Sequence, residues 1–321
     1  MQAELKFAGF PKHMTRDKIY IIGRGAIGKA MAVFLKRKGS DVALIRGSVD
    51  DNRQQVEHIE VTLSNGNVLA ADVDVSTLNS IHTLKGIVVV ATKSFGNPEL
   101  AKKLRERISG PIIILQNGLG VERPFTDNDF PSVYRCVLFV TSQNISHNGV
   151  RFKPVSACPI GIVKGQTEEL HAIISHLSTE HFQFSAEQNI DHVTWKKAII
   201  NCAFNSICPL LDTDNGIFHR NTEALAIARR VVDECVAVAA MRGVVLDAGQ
   251  VIENLLLISR SSDGQLISTL QDIRSHQPTE IDTLNLEVAR IAEECGMAHQ
   301  VVETKVLGEL IRLKSNLPPS S

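Results

Sequence analysis

Lys18-Ile19-Tyr20-Ile21-Ile22-Gly23-Arg24-Gly25-Ala26-Ile27-Gly28 is the stretch whose reading decides the fold. A compact apolar strand runs straight into three glycines spaced GxGxxG. Lys29-Ala30-Met31-Ala32-Val33-Phe34-Leu35-Lys36-Arg37-Lys38 then carries the amphipathic pattern of a helix. Glycine-rich turns are common, so the motif has meaning only with a strand before it and a helix after it. In that setting the first glycine permits a tight turn, the second lets a pyrophosphate approach the backbone, and the third allows helix and strand to pack closely. Free N–H groups and the dipole at the helix start favour the phosphate charge. Gly23, Arg24, Gly25, Ala26, Ile27 and Gly28 are therefore candidate dinucleotide contacts.

Outward from this core, Gly39 is placed to stop the helix, and Val42 to Ile45 is the next strand. Together they predict a βαβ unit with parallel strands. The end of the second strand distinguishes the two nicotinamide cofactors. An acid about 20 residues past the loop would take the ribose 2′-hydroxyl of NAD. Here Arg46 stands in that place, and a guanidinium matches a 2′-phosphate in charge and fork geometry. Ser48 can add a hydroxyl, and Asp50 and Asp51 come late to replace the missing acid. NADP(H) is the expected cofactor, the bland alternative being a solvated surface arginine.

A hairpin is predicted at HIEVTL and NVLAADV around Ser64-Asn65-Gly66, since Asn and Gly tolerate positive φ. Ile87 to Ala91 and Pro111 to Leu115 bracket a helix around Pro98 to Ile108. Further strands are expected at Val137 to Thr141, Val150 to Lys153, Ile160 to Val163 and in HFQF, with a helix at Glu168 to Leu177. After Ile190 helical patterns dominate, at 191 to 207, 222 to 242, 248 to 258, 279 to 295 and 301 to 314. The expected architecture is an α/β Rossmann-type dinucleotide-binding domain over 18–189 and an all-α helical domain over 190–316. An extension (1–17) and a short tail (317–321) flank them. The cleft between such domains is the default place for a substrate.

Composition bounds the function. With 44% hydrophobic and 21% charged residues over 321 positions, the chain is globular and large enough for about two domains. Thirty-four basic against 35 acidic residues leave a net charge of −1, which gives no field for nucleic acid or an anionic membrane. An anionic ligand must be caught by a few placed cations. No apolar run reaches membrane-spanning length, and the first residues lack a signal-peptide core, so a cytoplasmic, soluble protein is expected. The six cysteines show no CxxC and no metal spacing, which reads as reduced core thiols and no metal.

Two loops follow apolar strands where open parallel sheets place ligands: Thr92-Lys93, and Gln116-Asn117-Gly118-Leu119-Gly120. Either can equally be an ordinary turn. In the helical half, Lys197, Asn201 and Asn205 are spaced i, i+4, i+8 and form a polar stripe among Ala198, Ile199, Ile200, Ala203 and Phe204. Asparagine is a mediocre helix former, so the stripe is either an occupied polar surface or a solvated face. On propensity alone, alanine at 201 or 205 would leave stability level or slightly higher. Pro278, Glu280 and Asp282 suit a helix start.

GRGAIG, Arg46, Lys93 in ATKS, QNGLG, WKKAIINCAFN, Asp214-Asn215-Gly216 and STLQDIRSHQPTEID, taken in order, resemble the ketopantoate reductase (2-dehydropantoate 2-reductase) family. The resemblance runs from about Lys18 almost to the C-terminus. It implies NADPH-dependent reduction of 2-dehydropantoate to pantoate, a step toward pantothenate and coenzyme A. By the same resemblance Lys197 is the catalytic lysine and Glu280 an acid near the nicotinamide ribose. Asn201, Asn205, Asn215 and Ser268 are substrate-binding positions; Asn117 touches cofactor and substrate, Lys93 lies on the cofactor side, and Asn144 falls at a backbone-contact position.

The chemistry is consistent with these residues. A ketone that receives hydride must also gain a proton, and an ammonium over its oxygen can supply one if its pKa falls toward the working pH. The alternatives are a reductase of another 2-oxo acid, a non-catalytic NADP(H) sensor and a β-hydroxyacid dehydrogenase with a related two-domain plan. The helical half has ample apolar surface for a homodimer, without a visible seam.

Overall fold

The computed structural model describes residues 18–47 and 50–317. The expected extension (1–17), Ser48 and the tail beyond Leu317 lie outside the described residues. The α/β half contains strands β1 (Lys18–Ile22), β2 (Val42–Arg46), β3 (Gln55–Leu63), β4 (Val68–Thr77), β5 (Gly86–Val90), β6 (Ile112–Ile114), β7 (Val133–Cys136), β8 (Val140–Asn144), β9 (Gly149–Pro154), β10 (Cys158–Lys164) and β11 (Phe184–Ala186). Its helices are α1 (Ala26–Arg37), α2 (Asn97–Leu104), α3 (Arg123–Thr126) and α4 (Thr167–Leu177). From Ile190 onward the described chain is helical: α5 (Ile190–Leu210), α6 (Ile217–Arg220), α7 (Thr222–Met241), α8 (Ala248–Ser261), α9 (Ser268–Arg274), α10 (Asn285–Glu294) and α11 (Val302–Asn316).

The strands form one sheet in the order β11-β10-β7-β6-β5-β1-β2-β4-β3-β9-β8. Its centre, β7-β6-β5-β1-β2-β4, is parallel, as the βαβ reading requires, and the β3–β4 hairpin is antiparallel. The sheet is strongly curled. Strands β7 and β8 stand eight places apart in it, about 38 Å if flat. Yet only Val137, Leu138 and Phe139 join them, a reach of roughly 14 Å. The curl wraps α1, whose Phe34 meets Phe152 edge-on at 5.1 Å, and Phe182 stacks on Phe184 at 4.7 Å. The predicted strand at 137–141 is corrected accordingly: β7 ends at Cys136, and Val140 opens a different strand at the far edge.

Other boundaries also move. The 98–108 helix ends at Leu104, and the HFQF strand is Phe184–Ala186. The 279–295 helix starts only at Asn285. Residues Glu280 to Leu284 are held instead as a turn against the α/β half, where Leu119 N–H donates to the Thr283 carbonyl at 2.7 Å. A Cβ at Gly118 would run into Thr283, so that contact needs glycine. The helical core packs α5 against α7, with Phe204 edge-on to Phe218 at 4.8 Å. All six cysteines are free, five of them buried. No helix among the described residues is long and apolar enough to cross a membrane.

Candidate active site

The glycine loop has the shape its sequence demands. Gly23 adopts φ 128°, and a Cβ there would press on the backbone of Ala91 at the end of β5. A Cβ at Gly28 would collide with the Gly23 carbonyl oxygen. Gly25, by contrast, faces open space and caps α1 without any side-chain hydrogen bond. The first N–H groups of α1 are thus free to meet an anion, and the cradle fits a pyrophosphate.

Around the loop the side chains are tightly engaged. Arg24 ion-pairs with Glu57 and donates to Asn148 Oδ1 at 2.6 Å. Lys29, buried in the first turn of α1, donates to Asn144 Oδ1 at 2.9 Å and to the His147 carbonyl at 2.6 Å. Asn144 is thereby tied to the β8–β9 hairpin and α1. Arg46 ends β2, and its Nη2 donates to Asp51 Oδ1 at 2.7 Å. Asp51 is thus the partner of Arg46. The Arg46 Nε is buried without a partner among the described residues.

The two strand-end loops are cross-linked by amides. Asn97 donates to Gln116 Oε1 at 2.7 Å and receives a bond from Gln116 Nε2 at 2.8 Å, which fixes where Asn117 begins. From there a polar chain crosses between the two halves. Lys197 Nζ, on α5, donates to Asn117 Oδ1 at 3.0 Å and to the Leu138 carbonyl at 2.6 Å. Asn117 Nδ2 faces Glu280 Oε2 at 3.5 Å. Lys93 Nζ lies 3.8 Å from Glu280 and donates to Asp272 Oδ2, on α9, at 2.8 Å. The structure thus unites Lys93, Asn117, Lys197 and Glu280, residues up to 187 positions apart.

The electrostatics follow from enclosure. Burial, and then the nearby Arg135 guanidinium, lower the Lys197 pKa to about 8; Glu280 and the thiols of Cys136 and Cys158 act in the opposite direction. Those two thiols are themselves pushed up by burial, so they are neutral near pH 7. Burial raises the Glu280 carboxyl, against the pull of Lys93. An ammonium poised to lose its proton near pH 8 is suited to proton donation.

The polar stripe on α5 divides. Lys197 and Asn201 line a crevice with Asn117, Gly118 and Arg135. Asn205 is buried, and its Oδ1 accepts from Thr269 Oγ1 at 2.7 Å and Ser268 Oγ at 3.3 Å. Asn205 and Ser268 therefore meet each other. Asn215, also buried, is tied by backbone bonds to Gln265 and Ser259 and makes no hydrogen bond to this group. Sequence reasoning missed Asp272 and Arg135. The signal for Arg135 was present: an arginine inside the apolar run Val133-Tyr134-Arg135-Cys136-Val137.

Residues 19–164 match the family model described as ketopantoate reductase PanE/ApbA, and residues 189–314 match its C-terminal counterpart. The chain belongs to the ketopantoate reductase family. A 2-dehydropantoate 2-reductase of Pyrococcus abyssi is 25% identical over 287 residues, 86% of this chain and 91% of that one. Among solved structures, a D-mandelate dehydrogenase with NADH and anilino(oxo)acetate superposes with a TM-score of 0.81 at 23% identity, covering 93% and 98% of the two chains. A ketopantoate reductase from Staphylococcus aureus described as dimeric gives 0.76 at 20%, covering 93% and 100%. Those two likenesses show the fold. Membership makes this chain an oxidoreductase of the pyridine-nucleotide-dependent type.

Proposed function

We propose that the protein reduces a 2-oxo acid with NADPH, with 2-dehydropantoate as the substrate and pantoate as the product. One observation carries the reading: Lys197 Nζ is held at 3.0 Å by Asn117 in a crevice shared with Asn201, with Glu280 on the far side of the same amide. The nicotinamide nucleotide supplies the hydride. The chain's own residues do the rest. Lys197 polarises the ketone oxygen and gives it a proton. Asn117 holds that ammonium in place, while Glu280 favours its charged form. Asn201 lines the crevice and orients the acid; Ser268, bonded to Asn205 Oδ1, supplies a further hydroxyl for it.

NADPH is favoured over NADH by Arg46, whose guanidinium stands at the end of β2; Asp51 must yield its place on Nη2 for a 2′-phosphate to pair there. NADPH oxidation with 2-dehydropantoate, 2-oxoisovalerate, oxaloacetate and phenylglyoxylate tests the reading. A clear kcat/KM advantage for 2-dehydropantoate is expected, and a better alternative acid would reassign the substrate.

The same reading includes a homodimer. Val302, Val306, Leu310 and Leu313 lie exposed at helical spacing along α11, and Leu317 is exposed just past its end. Such an apolar stripe suits a contact with a second copy. Light scattering of Leu310→Asp beside the parent chain checks this; an unchanged mass would remove α11 from the interface.

A further inference from the structure

Arg135 is 4% exposed, in the middle of β7, and only part of its guanidinium is satisfied. Its Nη2 donates to the Gly118 carbonyl at 2.9 Å. Its Nε and Nη1 are buried and find no hydrogen-bond partner among the described residues; Glu122, and less so Glu280 and Asp191, act on it through space without a direct ion pair. A buried cation left in this state is costly, which is why such groups are normally paired.

A second cation shares the same crevice. The Lys197 ammonium lines it, and its two hydrogen-bond partners, Asn117 Oδ1 and the Leu138 carbonyl, are both neutral. Thr194 Oγ1, on the preceding turn of α5, is also buried and has no partner among the described residues. The crevice has room for about one water-sized atom, some 10 Å³. The described residues that line this space thus include two basic side chains and a threonine, and none of them is acidic.

We propose that Arg135 and Lys197 form a small-anion site for one carboxylate oxygen or one halide ion. The partnerless edge of Arg135 supplies directed N–H donors, Lys197 a point charge, and Thr194 a further donor. The two sources of that anion have different consequences. A carboxylate oxygen would come from the 2-oxo acid, whose carboxylate adjoins the ketone, so Arg135 would seat the acid group while Lys197 meets the ketone oxygen. That assignment rests on the proposed reductase activity. A halide would occupy the site without turnover.

Bromide separates these cases. Crystals soaked in sodium bromide should show an anomalous peak in contact with Arg135 Nε. The melting temperature in sodium bromide should exceed that in sodium methanesulfonate at equal ionic strength, and Arg135→Met should abolish the difference. Arg135→Lys, which keeps a charge, serves if the methionine variant does not fold; it should retain a reduced difference. Competition between bromide and the 2-oxo acid, with a KM about tenfold or more higher in Arg135→Met, would identify the carboxylate as the occupant. A bromide effect on stability without competition would identify a free halide. A water with no anomalous signal, together with equal melting temperatures in the two salts, overturns the site. The bromide results stand even if every 2-oxo acid proves inert.

Discussion

Lys197 Nζ and Asn117 Oδ1 lie 3.0 Å apart although 80 residues separate them, one on the first long helix of the C-terminal half, the other just past β6. The bond fixes the ammonium toward the crevice, and adjacent Lys196 points about 100° away around the helix. Lys197→Ala should therefore lower kcat by about 10²–10⁴-fold, the usual worth of a positioned acid, and Lys196→Ala should do little. Steady-state kinetics of both variants decide it; loss in Lys196→Ala alone would mean the wrong face of the helix has been assigned.

The lowered pKa of Lys197 also sets a pH dependence. A donor must hold its proton, so the reductive kcat/KM should fall as pH rises through about 8. Stability runs the other way. The folded pKa lies below the ordinary lysine value of 10.5, so below about pH 8 the fold carries a charge it disfavours. That penalty is relieved as pH climbs from about 8 toward 10.5. Lys197→Met should accordingly melt no lower than the parent at pH 7 while losing activity. A clear drop in its melting temperature would show that the ammonium is structural.

Arg46 and Asp51 make a second pair with opposed effects. Arg46→Asp should weaken NADPH binding by about 1.5–3 kcal/mol, the scale of a charged hydrogen bond, and NADH much less. Asp51→Asn should release Nη2 and tighten NADPH relative to NADH. Titration of both nucleotides checks this, and equal changes for the two would separate Arg46 from the 2′-phosphate.

Helix propensity alone predicted that alanine at 201 or 205 would be harmless to stability. The structure keeps that expectation for Asn201 and reverses it for Asn205. Removing the Asn205 amide leaves Thr269 Oγ1 and N–H in a buried place without their acceptor. Asn205→Ala should thus cost roughly 1–3 kcal/mol, measured by denaturant unfolding, whereas Asn201→Ala should mainly raise the substrate KM.

These cases show what was legible beforehand. The glycine loop and its flanking strands are local: backbone sterics at Gly23 and Gly28 demand the same residues whatever surrounds them. The long helices were equally plain from their period. The split between β7 and β8 was not, because it depends on the curl that brings distant edges together. Helix α9 is too short for periodicity to declare itself. The link of Glu280 to Lys197 through Asn117 spans both halves of the chain, and only the folded arrangement reveals it.

Asp272 and Lys93 provide the most demanding test, since they should shift one titration in opposite directions. Burial raises the Glu280 pKa, Lys93 draws it down and Asp272 pushes it up. Lys93 Nζ sits nearer to Asp272, at 2.8 Å, than to Glu280, at 3.8 Å. Asp272→Asn removes a like charge and frees Lys93 to approach Glu280, so both changes lower the Glu280 pKa. Lys93→Met removes the cation and raises it. If ionised Glu280 supports the charged form of Lys197, activity should fall on the acid side as Glu280 takes up its proton. The acid limb of kcat/KM should then move to lower pH in Asp272→Asn and to higher pH in Lys93→Met. Limbs that stay fixed in both variants would show that Glu280 does not titrate in turnover, and would leave it a binding group for the nucleotide alone.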